Sequence, residues 1–328
     1  INCYHIPATI TNNIITYNQA NAESETHGGG IYFNSCDGNS IVKNNTIEHN
    51  SCSSDYAYGA GVRAWNCTYV LIEENQINNN SVNTEIGGGG AGIMINQPID
   101  SVHILQNTII SNDMTGTSYG GGLFLDRFFD VHLLVSRNLI RDNSCNNNGG
   151  GIFTFNSYNS VICNNLFIDN EANSYGGAIF FRQYGKGSGS DNHPLVVNNT
   201  FIENKAWRAA AVYTDHATET PVVMNNIFWQ NEASDEANDI YNGGVEEILI
   251  ANCNIDEEEI SGTWTGQDNF NNIQVFLDST YHLHWASPSI GQGIESVVAH
   301  GTVYYCPDDD YDGEPRPQSG LDVGADET

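Results

Sequence analysis

Residues 149–170 read GGGIFTFNSYNSVICNNLFIDN: a glycine run, an alternating apolar stretch, a second apolar stretch, and a double asparagine. The same order recurs along the chain. A doublet GG, AG, GA or AA precedes an aliphatic residue at Ile31, Val62, Ile93, Leu123, Ile152, Ile179 and Val212, and Ile240 continues the column without a doublet. The spacings are 31, 31, 30, 29, 27, 33 and 28 residues. Repeats of this length cannot bury an apolar face alone and must stack on their neighbours.

Within each repeat the apolar residues alternate, which is the period of a strand and not of a helix. Phe33, Ala64, Ile95, Leu125, Thr154, Phe181 and Thr214 form a second column two places on. A second strand is marked by the β-branched column Val42, Ile72, Ile104, Val135, Ile162, Val196, Val223, Ile250. A third is marked by Ile47, Ile77, Ile109, Ile140, Phe167, Phe201 and Phe228. Three short strands per repeat without helices predict an all-β right-handed parallel β-helix, a β-solenoid of eight to nine coils, because parallel crossovers favour the right-handed form. The predicted solenoid covers 1–260, followed by a small C-terminal β cap over 261–328.

Asparagines fall in register at 13, 45, 75, 107, 138, 165, 199 and 226, and again five residues later. Corners favour residues that tolerate left-handed backbone, and a stacked amide can donate to one coil and accept from the next. The ladder is therefore expected to be architecture.

Bulk properties narrow the functions. Forty acidic against ten basic residues give a net charge of -30, which excludes a nucleic-acid partner because that needs a basic face. No apolar run is long enough for a membrane span. The chain opens on Ile1, so it reads as a mature or trimmed segment. Eight cysteines without a CxxC pair argue against a zinc ribbon or thioredoxin-type site. Cys36 and Cys67 share a column on neighbouring coils, where a disulfide is expected. Sequons at Asn44, Asn66 and Asn198 mostly coincide with the asparagine ladder, which weakens them as glycosylation sites.

These repeats resemble the right-handed parallel β-helix proteins with pectate-lyase-like PbH1 repeats. Farther on, NNIFWQNEASDEANDIY, GTWTGQDNF, YHLHWASPSIGQG and DYDGEPRPQSGLDVGADE resemble the C-terminal region called choice-of-anchor Q, although DVGADE replaces that region's usual DIGAYE. The resemblance implies an exported prokaryotic protein, extracellular or at the cell surface.

Where inward residues alternate with outward ones, Tyr32, Arg63, Met94, Phe124, Phe153, Phe180, Tyr213 and Tyr241 are expected to face outward. Beside them run Asn34, Trp65, Asn96, Asp126, Phe155, Arg182 and Asp215. Such a stripe could hold a polysaccharide or cell-surface glycan on its rings, or its rings could be covered by loops and stack on one another. The leading expectation is a glycan-binding, adhesive or self-assembling protein that associates through its solenoid ends. The rival is a polysaccharide lyase or glycoside hydrolase with Asp126, Arg182 and Asp215 as suspects. Arg182 and Asp215 read more simply as an ion pair. Asp126 and Asp215 stand three coils or about 14 Å apart, beyond the roughly 6.5–9.5 Å of an inverting pair.

Asp308, Asp310 and Asp312 before Gly313 match the start of a calcium loop, and a Ca2+ ion there would be structural. Ser319 at the twelfth position excludes an EF-hand. His103 with His132, and His282 with His284, read as structural pairs without a third ligand.

Overall fold

The computed structural model describes residues 1–128, 131–184, 193–216, 219–270, 277–278, 281–317 and 320–326. Three predicted columns become three parallel sheets. In the first, ten strands run from Asn2–Tyr4 through Ile31–Asn34 to Ile260–Gly262. Its inward column pairs Ile31, Val62, Ile93, Leu123, Ile152, Ile179, Val212, Ile240 and Ile260 in register. The second sheet also has ten strands, ending at Trp264–Gln267, and the third has eight. Inside the third sheet Phe167, Phe201 and Phe228 stack with centroids 4.9 Å apart. The solenoid has about eight full turns, and its pairing runs past residue 260 to Gln267.

Each full coil holds a fourth strand that the sequence did not announce. Ser51–Tyr58, Ser81–Gly89 and Asp113–Tyr119 belong to a nine-stranded fourth sheet. Its inward residues are Cys52, Val82, Met114, Cys145, Ala172 and Ala206, all buried. That mixture of sulfur, aliphatic and methyl side chains presents no β-branched column to recognise.

Both asparagine ladders form. Asn107 donates its backbone N and its Nδ2 to Asn138 Oδ1, at 2.9 and 3.0 Å, and Asn138 repeats this onto Asn165. The left-handed residue is the one before the ladder position: Asn44, Glu74, Gln106, Arg137, Asn164 and Asn198 all have φ between 52 and 57°. Side-chain stacking therefore selects asparagine, while the turn itself accepts Glu, Gln or Arg.

The region after Gln267 carries the expected small antiparallel sheet, and its described residues lie as a strap along the flank of the solenoid. A hairpin of Ser296–Ala299 and Thr302–Tyr305 buries Val297 and Ala299 on the outer face of the second sheet, against Leu195, Val197, Val222 and Met224. Ala325 packs outside the third sheet with Leu166, Ile168 and Ile202. Farther back, Arg137 Nη1 meets Asp309 Oδ2 at 2.9 Å. Strands under the strap are buried on both faces and read as continuous apolar runs, LFI and LVV. Uncovered Asn39–Lys43 alternates instead.

Cys36 and Cys67 are thiols, which corrects the expected disulfide. Both lie in the corners between the first and second sheets, and each sulfur donates to a carbonyl, Cys36 to Ile6 O at 3.3 Å and Cys67 to Trp65 O at 3.4 Å. Burial pushes the Cys67 thiol up to about 11.

Candidate functional site

The outward stripe exists but most of it is covered, so its expected exposure is corrected. Phe153, Phe180, Tyr213 and Tyr241 stack at 5.0–5.1 Å with nearly parallel rings. Tyr119 and Tyr175 from the fourth sheet lie across them, each 4.7 Å from a ring below. Phe180 is 0% exposed. Phe153, Phe180 and Tyr213 are buried and present no face to a sugar. Tyr32 is likewise buried beneath Arg63, whose guanidinium stands 5.3 Å from its ring.

The covering column runs in register through His27, Tyr58, Gly89, Tyr119, Asn148, Tyr175 and Arg208. Between the Tyr58 and Tyr119 rings the column has no side chain at all, at Gly89. A Cβ there would sit 1.7 Å from the Phe124 ring, so glycine is what lets Phe124 approach. The interruption opens a cleft of about 460 Å³ between the two sheets. Its floor is Trp65, Asn96 and Asp126, which are in register on three successive coils. Its far wall is Tyr56, Tyr58 and Tyr119, and its lip includes Glu25, Gln97 and Arg127.

Asp126 is 7% exposed. Its Oδ2 accepts a hydrogen bond from Asn96 Nδ2, and Oδ1 has no hydrogen-bond partner among the described residues. Burial pushes this carboxyl up to about 6, against the opposing pull of Arg127 and Asn96. Arg127 Nε stands 3.8 Å away. Asp126 is thus a desolvated acid that can hold a proton near neutrality, with one buried carboxyl oxygen left without a hydrogen bond.

Arg63 forms the other polar end. Its guanidinium lies 4.5 Å from the Tyr58 ring and bonds through Nη1 to His27 Nδ1. Guanidinium only donates, so Nδ1 accepts and His27 carries its proton on Nε2, 3.4 Å from Glu25 Oε1. Burial and then Arg63 hold His27 below its ordinary value. Trp65 is fixed by Nε1 donating to Gln97 Oε1 at 3.3 Å.

Of the expected ligand residues, Arg63, Trp65, Phe124 and Asp126 converge here. Phe155, Arg182 and Asp215 lie farther along the floor column. Arg182 donates Nε at 2.9 Å and Nη2 at 2.7 Å to Asp215 Oδ2, so those two suspects neutralise one another. The wall residues Tyr56, Tyr58 and Tyr119 were missed. Their trace in the sequence is the Tyr-Gly pair repeated at 58–59, 119–120 and 175–176.

Asp308, Asp310 and Asp312, the expected calcium ligands, differ in their surroundings. Asp308 is exposed. Asp310 is buried and its Oδ1 accepts from Glu314 N at 2.8 Å, while Asp312 turns to His282 Nε2 at 3.4 Å. His282, Asp312 and Asp326 instead form one group with ligand atoms within 4.8 Å. Ser319 lies outside the described residues. His103 faces outward beside His132, their rings 5.9 Å apart, and not into the barrel. Asn198 is 0% exposed, which closes that sequon to a glycan.

With this geometry in place, comparison with known proteins adds one match. A family model described as right handed beta helix region matches residues 126–255. The chain is a parallel β-helix repeat protein. The match runs from Asp126 on the cleft floor to Ile255, and the strap lies beyond it. No curated protein and no solved structure matches the chain. Among the described residues no helix is long and apolar enough to cross a membrane.

Proposed function

We propose that this β-helix protein is an extracellular or cell-surface glycan binder, and that the cleft over Trp65, Asn96 and Asp126 holds the sugar chain. The observation that carries the reading is the cleft itself. Aromatic walls and a small set of convergent polar groups are what a carbohydrate site requires: rings for C–H faces, amides and a carboxyl for hydroxyls. Tyr56 is 41% exposed at the rim, where a ring can stack on sugar.

A second reading is favoured by one observation. A carboxyl near 6 suits general acid–base catalysis, so a polysaccharide lyase or hydrolase would use Asp126 as its proton carrier. Its expected partners Arg182 and Asp215 are occupied with each other, which weighs towards binding.

Calorimetry against neutral and acidic oligosaccharides, with reducing-end and unsaturated products followed in parallel, tests both. Saturable binding without product, lost on Trp65→Ala, supports the binder. Product formation lost on Asp126→Asn supports the enzyme. No binding to any glycan overturns both.

A further inference from the structure

A second cluster lies far from the cleft, at the corners that lead into the second sheet. Leu195, Val222 and Leu249 pair in register, which places His193, Thr220 and Glu247 on three successive coils at one corner. The hairpin of the strap ends here: Ala299 pairs with Thr302, so His300 and Gly301 are its two-residue turn. His193, Glu246 and His300 bring two imidazoles and a carboxylate together, with ligand atoms within 4.8 Å of one another.

Three details exceed what packing requires. His193 is buried, and its Nδ1 lies 2.8 Å from the Thr220 carbonyl. A carbonyl only accepts, so Nδ1 carries the proton and the Nε2 lone pair is free to bind a ligand. Metal-binding histidines are commonly oriented this way by their second nitrogen. The corner is itself held, with Thr220 Oγ1 donating to Glu247 O at 2.6 Å and Asn242 Nδ2 to Glu246 O at 2.7 Å. Finally, His300 has φ 50° at a turn position that favours Asn or Gly, and its ring lies parallel to His193 with centroids 3.7 Å apart.

We propose that His193, Glu246 and His300 bind a divalent transition-metal ion of the zinc class, which clips the strap hairpin to the solenoid. Two imidazole nitrogens and one carboxylate oxygen suit that class, with a fourth, tetrahedral position left to water. Tetrahedral ligand atoms around zinc stand about 3.4 Å apart and imidazole lone pairs lie in the ring plane, so binding requires the exposed His300 ring to turn out of its stack on His193. Glu246 and His300, the less buried two, can move. Calcium is disfavoured because it takes an oxygen shell. The ion would link two coils of the solenoid to a hairpin that also packs on the second sheet through Val297 and Ala299.

The test is a zinc titration of the full chain after chelator treatment, in competition with a chromophoric chelator, with Tm read in parallel. The expected result is one equivalent of zinc bound and a Tm rise reversed by EDTA. His300→Asn keeps a residue suited to the turn and removes the imidazole, and Glu246→Gln removes the carboxylate. Each should weaken zinc roughly tenfold or more. Asp312→Asn, in the other histidine–carboxylate group, should change nothing. Failure to take zinc from the chelator overturns the proposal, and so does binding retained in both site variants or lost in Asp312→Asn.

Discussion

Replacing Asp126 by Asn removes the carboxyl that the cleft holds in its least favourable state. The isosteric amide keeps an oxygen for Asn96 Nδ2 and costs little in shape. Its effect on stability follows from the position of the carboxyl, moved from an ordinary 3.8 to about 6 by burial. At 1.36 kcal/mol per pH unit, the charged form costs the folded chain about 3 kcal/mol. The native state binds the proton more tightly than the unfolded chain does. Its protonated form is fully compatible with folding below about pH 4, stability falls between about 4 and 6, and the loss is complete above.

Asp126→Asn should therefore leave stability at pH 4 nearly unchanged and raise it by up to about 3 kcal/mol at pH 7.5. Asp239, pushed to about 7, and Asp326, pushed to about 6, contribute slopes of their own. Both remain in the variant, so the difference between the two proteins isolates Asp126. Urea unfolding at pH 4, 5, 6 and 7.5 measures it, followed by hydrogen exchange at the amides of Asn96 and Asp126 because a solenoid can open locally. A difference that stays flat with pH, or a variant less stable at pH 7.5, would refute the desolvated carboxyl. A gain in stability coupled to lost glycan affinity is what a strained functional group produces.

The asparagine ladder should be costly to break. Asn138→Ala strands the backbone N–H of Asn107 and the carbonyl of Ile104, at about 1–3 kcal/mol each, and denaturation should lose about 2–6 kcal/mol. The exposed Asn173→Ala, which removes only a 3.3 Å contact to Asn146, should stay within about 0.5 kcal/mol, and equal losses would show that the buried ladder is not special. Gly89→Ala should push Phe124 into the cleft and weaken glycan binding tenfold or more, about 1.4 kcal/mol by calorimetry. Cys36 and Cys67 should react with a thiol reagent only after denaturation, and protection of the unfolded chain without reductant would reveal a disulfide.

The solenoid was legible because three of its four sheets repeat one chemical type at one register. Val42 through Ile250 and Ile47 through Phe228 line the interior without a polar interruption. The fourth sheet was not legible, since its inward positions accept Cys, Val, Met and Ala alike. The strap left a mark that could have been read. Leu166–Phe167–Ile168 and Val222–Val223–Met224 lack the polar alternation of Asn39–Lys43, and a strand apolar on both faces must be covered on both.

The site was half legible for a related reason. Alternation says which residues leave the barrel, but not whether another layer meets them there. Phe153, Phe180 and Tyr213 leave it and are buried again by Tyr119 and Tyr175. Trp65 and Asp126 leave it at the place where the covering column has Gly89 instead of a ring. What decides function along this face is thus a gap in the outer layer. The strands beside that gap are eight, nine and seven residues long, against two for Ser144–Cys145 on the next coil. Both the long wall and the missing ring are needed to make a cleft: without the wall the floor would be flat, and with a tyrosine at 89 it would be closed.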